Sequence, residues 1–132
     1  MSTKSIAEKL QIKPGTLAWL SDAAYRERIG PLPEGARLVE AFGDATATLI
    51  FAGDAASLRG ALDSHRELLA RPSAFWVLYP KANRTDINRD SLWPILAEYG
   101  MRPISQVAVD DVWSALRFRP LKPGEVPFSP GQ

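Results

Sequence analysis

The segment from Tyr79 to Trp93 reads YPKANRTDINRDSLW, and it leads from an apolar run, AFWVL, into an apolar, helix-like segment. It gathers Lys81, Arg84, Asp86, Arg89 and Asp90. Such side chains hold anions. An ammonium group acts as a point charge, and guanidinium groups offer forked donors to phosphate or carboxylate. Lys81 follows Pro80, which fixes the backbone where the apolar run ends. Asp90 is placed to cap the next helix and would occupy the N–H groups that a phosphate would need there. Asp86 is the freer carboxylate, suited to a substrate hydroxyl, though one carboxylate is not a metal site. The simpler reading is a solvated loop in which Arg84 and Arg89 pair with Asp86 and Asp90, since surface pairs contribute only about 0–1 kcal/mol.

A second constellation is WSALRFRP, which alternates. Val112, Ser114, Leu116 and Phe118 share one face, and Trp113, Ala115, Arg117 and Arg119 share the other. An arginine on a strand between layers needs a partner, and Asp110 or Asp111 in the preceding turn supplies one. The functional alternative brings Arg117 and Trp113 beside Lys81, where an aromatic face and two cations suit a nucleotide or another planar anion. Trp93, beside the charged loop, is the tryptophan best placed to line a pocket. The candidate ligand-binding set is therefore Lys81, Arg84, Asp86, Trp93, Trp113 and Arg117, with no catalytic residue assigned. Ser–His chemistry has no support, because His65 is the single histidine and shares a helical face with Leu58, Leu62 and Leu69. It reads as a packed residue. A Ser114–Lys81 pair is formally open, but it needs hydrogen-bond geometry that sequence does not give.

Composition narrows the rest. The chain has 132 residues, which suits one domain over 1–120 followed by a Pro/Gly-rich tail, 121–132. Sixteen basic against fifteen acidic side chains give a net charge of +1, so nucleic-acid binding through a global positive field is not expected. With no cysteine, disulfides, thiolate nucleophiles and Cys-based metal sites are excluded. No apolar run approaches the roughly 20 residues needed to span a bilayer, and the start lacks a secretory core, so the cytoplasm is the default. No cofactor or metal is implied by the residues.

The elements that must position these groups follow from periodicity. Ser2 to Leu10 reads as a short helix. TLAWL, RLVEAF, ATLIFA and AFWVLY read as strands, the first and last of them short apolar runs of the buried type. Asp22 or Ser21 caps a helix ending at Gly30. Asp54 caps a helix through AASLRGALDSHRELLA, and another starts near Asp90, contains Pro94 and stops at Gly100. PISQVAVDD and VWSALRFRP leave no room for a helix between them and must pair antiparallel. The expected fold is α/β: a three-layer, mostly parallel open sheet of about six strands, in the order 2-1-3-4-6-5, ending in an antiparallel hairpin. Ligands in such sheets bind beyond the carboxyl ends of the strands, near the switch point between TLAWL and ATLIFA.

Sheet order and hairpin together make the chain resemble a shortened class I S-adenosylmethionine-dependent methyltransferase. The likeness covers ATLIFAG, the following helix, AFWVLYPKA, the next helix and the hairpin. In that family a Gly-rich turn follows the first strand, whereas here the turn reads SDAAYRERIG, without a G-x-G. Glu40, at the end of the second strand, matches the acidic residue the family uses for the ribose hydroxyls. IKPG, YPK, DINRDSLW and WSALR also make residues 15–120 similar to a bacterial family of small proteins classed as a domain of unknown function. That resemblance implies no reaction. The leading expectation is a non-catalytic binding or regulatory module. The alternatives are a small anionic-ligand or nucleotide-binding protein with its site at the carboxyl edge, and a degenerate methyltransferase-like protein. The partners admitted are a small anion, another protein, or a second copy of the chain.

Overall fold

The computed structural model describes residues 10, 12–21, 32–69, 72, 74–81, 89–109 and 112–120, leaving aside the side chains of 89 and 90. Six strands form one sheet in the order β2-β1-β3-β4-β6-β5. They are β1 (Leu17–Leu20), β2 (Arg37–Leu38), β3 (Ala47–Phe51), β4 (Ala74–Pro80), β5 (Met101–Ala108) and β6 (Trp113–Pro120). The first four run parallel, and β6 pairs antiparallel with both β4 and β5. This is the expected order and the expected hairpin. The expected helices over 2–10 and 22–30, and the tail 121–132, lie outside the described residues.

The central strands owe their place to composition. Every residue of β3 and β4 is buried, as their near-continuous apolar sequences require of parallel strands covered on both faces. Alternation sorts their side chains into two cores. Ile50, Phe75, Val77 and Tyr79 face one, with Leu116 and Phe118 of β6. Leu49, Phe51, Trp76 and Leu78 face the other, with Trp113 and Ala115. Helices α1 (Ala55–Ser64) and α2 (Arg89–Ala97) both serve the first core, through Leu58 and Leu62 of one and Leu92, Ile95 and Leu96 of the other. Leu10, Ile12, Leu32 and Ala36 pack in the second.

Capping follows the sequence. Asp54 is extended (φ −156°, ψ 174°), and its carboxylate accepts the Ser57 N–H at 2.7 Å. Gly100, at φ 77°, ends the turn after α2, a backbone conformation suited to glycine. Pro94 lies within α2, deeper than a first-turn proline, and forgoes one helical hydrogen bond.

Two elements are shorter than their sequences suggest. RLVEAF pairs only through Leu38, with one further bond from Val39 N–H to the Ala18 carbonyl. Phe42 leaves the strand for a 3-10 turn, Phe42–Asp44, and is buried there. The helix expected to run past His65 stops at Ser64. His65 stacks on Phe42 (4.7 Å between ring centroids, 19° interplanar) and meets Trp19 edge-on at 4.8 Å. Its Nδ1 lies 3.0 Å from the Ala61 carbonyl. His65 is thus a packed aromatic, as its apolar face suggests.

Polar side chains join α1 to the end of α2. Tyr99 donates to Asp63 at 2.6 Å, Arg59 pairs with Glu98 at 2.7 Å, and Arg66 lies over the Tyr99 ring at 5.1 Å. At the hairpin edge, the β5–β6 register shifts between Pro103 and Ser105, and Ile104 is 46% exposed.

Two outcomes follow. Leu62→Ala opens a void in the first core and should cost about 2–5 kcal/mol of unfolding free energy in urea titration. Asp54→Ala should lower the urea midpoint at neutral pH. The Ser57 backbone N–H, then the Ser57 side chain, hold the Asp54 carboxyl below its ordinary value of 3.8. A depressed carboxylate stabilises the fold above that ordinary value and stops doing so as pH falls through the lower folded one. The gap between wild type and variant should therefore narrow below pH 3.8.

Candidate functional site

The chain passes from β1 out to β2 and then back across to β3, so the strand order reverses between β1 and β3. The carboxyl ends beside this reversal are where an open α/β sheet leaves a crevice. Ser21 stands just past β1. Its N–H donates to the Leu49 carbonyl at 3.0 Å, and its hydroxyl accepts the Phe51 N–H at 2.8 Å. The hydroxyl thus holds the two strand ends together. Glu40 lies two residues beyond the end of β2, exposed, with no hydrogen-bond partner among the described residues. Gly53 follows β3, and a Cβ added there would meet nothing within 4 Å. Asp54, next along, is committed to capping α1.

The candidate set from sequence divides on this frame. Lys81 is where expected, one residue past β4 at the carboxyl edge. It is half-buried and extends the ladder, its N–H donating to the Val112 carbonyl at 2.7 Å. Trp113 lies opposite Pro80, so it is Lys81's near neighbour along the ladder. However, Trp113 is buried against Phe51 in an edge-on contact at 5.5 Å, in the second core. Arg117 pairs with Trp76 and Ser105. Five positions of β4 separate Trp76 from Lys81, about 16 Å of strand. Alternation also puts Arg117 on the Trp76 face and Lys81 on the Tyr79 face. The register does not bring Arg117 to Lys81. It also removes Arg117 from the hairpin end, where Val109 N–H donates to the Trp113 carbonyl. Trp93 is half-buried on α2. Arg84, Asp86, Asp110 and Asp111 lie outside the described residues.

β4 and β6 bring to the Lys81 face Ser114, which sequence leaves formally open as a partner of Lys81, and Tyr79, which sequence does not single out. Tyr79 is directly opposite Ser114, both buried, and Gln106 of β5 donates to the Tyr79 hydroxyl at 3.0 Å. The signal was present in the alternation of WSALRFRP, but using it required the hairpin register.

No group of three His, Asp or Glu side chains suited to a metal occurs among the described residues. No described helix is long and apolar enough to cross a membrane.

No family model matches the chain, so the likeness carried by IKPG, YPK, DINRDSLW and WSALR gains no support. No curated protein matches it in sequence. Solved structures match in shape. A protein of the NADB-Rossmann superfamily from Streptococcus agalactiae superposes with a TM-score of 0.60 at 11% identity, over 98% of this chain and 72% of that one. A Streptococcus pneumoniae protein in complex with S-adenosyl-L-methionine gives 0.55 at 14% identity, over 98% and 77%. The tRNA methyltransferase TrmK of B. subtilis gives 0.54 at 12% identity, over 91% and 67%. The chain has a Rossmann-type, methyltransferase-like fold.

Gly53→Ala should leave unfolding free energy within about 0.5 kcal/mol of wild type, because the new methyl group meets no neighbour. A larger loss in urea titration would mean that the strand end is packed more tightly than the open space at Gly53 indicates.

Proposed function

We propose that the protein binds an adenosine-type cofactor of the S-adenosylmethionine class at the carboxyl edge, between β1 and β3, and is methyltransferase-like. The single observation behind this reading is the position of the strand reversal. The reversal puts an exposed carboxylate, Glu40, and an uncrowded glycine, Gly53, on the same edge. A carboxylate at the end of β2 suits the two hydroxyls of a ribose, as a charged acceptor for neutral donors. An uncrowded glycine after β3 lets a planar base approach the backbone.

The described residues fit the ribose end of such a group. The turn that follows β1, where the resembling family keeps its glycines, lies over 22–31 and outside them. S-adenosylmethionine, when bound, supplies an electrophilic methyl group. The chain's own residues would orient it: Glu40 holds the sugar, and Ser21 keeps the ends of β1 and β3 in register beneath it. Asp54 is not free for this work, because its carboxylate caps α1.

Isothermal calorimetry with S-adenosylmethionine and S-adenosylhomocysteine tests the reading. Binding should weaken by roughly 10- to 100-fold in Glu40→Ala, as expected for loss of hydrogen bonds to a charged group worth about 1.5–3 kcal/mol. Heat from neither compound would end the proposal and leave a non-catalytic binding module as the better account.

A further inference from the structure

The second polar group on the carboxyl edge sits on β4 and β6, the next two strands beyond the β1–β3 reversal. β4 and β6 pair as Tyr79↔Ser114 and Pro80↔Trp113, and the ladder continues from Lys81 N–H to the Val112 carbonyl. Tyr79 and Lys81 are two residues apart on β4, so alternation puts them on one face, with Ser114 directly across from Tyr79. Ser114 and Lys81 are then diagonal neighbours, with Cβ atoms about 7–8 Å apart, within reach of a lysine side chain.

Three observations make this more than a chance grouping. Ser114 is a polar side chain only 6% exposed, and its hydroxyl, with no hydrogen bond to a described residue, is not sealed from solvent. Lys81 is half-buried and makes no ion pair with a described residue. The next polar position on this face is filled: Gln106 reaches across β6 to the Tyr79 hydroxyl at 3.0 Å, which fixes a polar wall beside the serine. A hydroxyl open to solvent is reachable by a ligand, and a hydrogen bond between an ammonium and a carboxylate is stronger than a neutral one.

We propose that the carboxyl end of β4 and β6 is a subsite for a carboxylate-bearing small molecule. The Lys81 ammonium pairs with one carboxylate oxygen, and the Ser114 hydroxyl donates to the other. Lys81 supplies one positive charge and Ser114 one neutral donor, a pair that suits the two oxygens of a carboxylate. At about 4.8 Å per strand, the subsite lies roughly 7–12 Å across the sheet from the β1–β3 reversal, on strands that take no part in that reversal.

The test is a titration of the full chain with sodium acetate and, separately, inorganic phosphate at constant ionic strength. Amide shifts of Lys81, Val112 and Ser114 are followed by NMR. Acetate should give saturable shifts at these three positions and bind more tightly than phosphate. Lys81→Gln should weaken acetate at least about tenfold, and Ser114→Ala should weaken it measurably while both variants keep wild-type dispersion elsewhere. Tighter binding of phosphate overturns the carboxylate assignment. Linear shifts without saturation, or saturation unchanged in Lys81→Gln, overturn the subsite. Because acetate reports on this end alone, neither result bears on the calorimetry with S-adenosylmethionine.

Discussion

The parallel pairing of β3 with β4 is the constraint from which the other placements follow. Five residue pairs, Ala47↔Ala74 through Phe51↔Leu78, align two strands that are buried along their whole length. Backbone groups so far from water have no alternative partners, so the ladder must form in full. Side chains on both faces must then be covered, which requires α1 and α2 over one face and the segments around Leu10, Ile12 and Leu32 over the other. With that pair fixed, two edges remain, and β1 takes the one beside β3 and β6 the one beside β4. The strand ends carrying Ser21, Gly53 and Lys81 arrive together on one edge as a result.

The two edges of the sheet are built differently. At the far ends of α1 and α2, exposed side chains tie helix to helix through Tyr99 and Asp63, and through Arg59 and Glu98. At the carboxyl edge, described ties include backbone bonds between strand ends, the Ser21 hydroxyl, and Gln106 donating to the Tyr79 hydroxyl. Charged and polar side chains there, Glu40 and Lys81, are left without described partners. Side chains already satisfied by one another have little to offer a third group.

The strand order was legible because its signals are local. AFWVLY and ATLIFA are too continuously apolar for anything but buried strands, and two extended segments with a four-residue join must pair antiparallel. Lys81 was legible for the same reason, since Pro80 marks the end of its strand. The ends of β2 and α1 were not, because tertiary packing decides them. Phe42 and His65 leave their elements to stack on one another beside Trp19. Where Arg117 stands relative to Lys81 was not legible, because its position depends on the register of a hairpin, and a slip of one residue exchanges the faces of a whole strand. The alternation of WSALRFRP was right. What it lacked was the partner strand that turns a face into a neighbourhood.

The register break between Pro103 and Ser105 has a consequence for how the chain lives among its own copies. An open sheet ends in two strands whose outer backbone groups can template a neighbour. Here one border is β2, only two residues long. The other is β5, interrupted by a proline with no N–H to give and by a shift in pairing one residue later. Neither border presents a long, even row of donors and acceptors. Both described borders are thus poor templates for a neighbouring strand, even though β5 carries Ile104 and Val107.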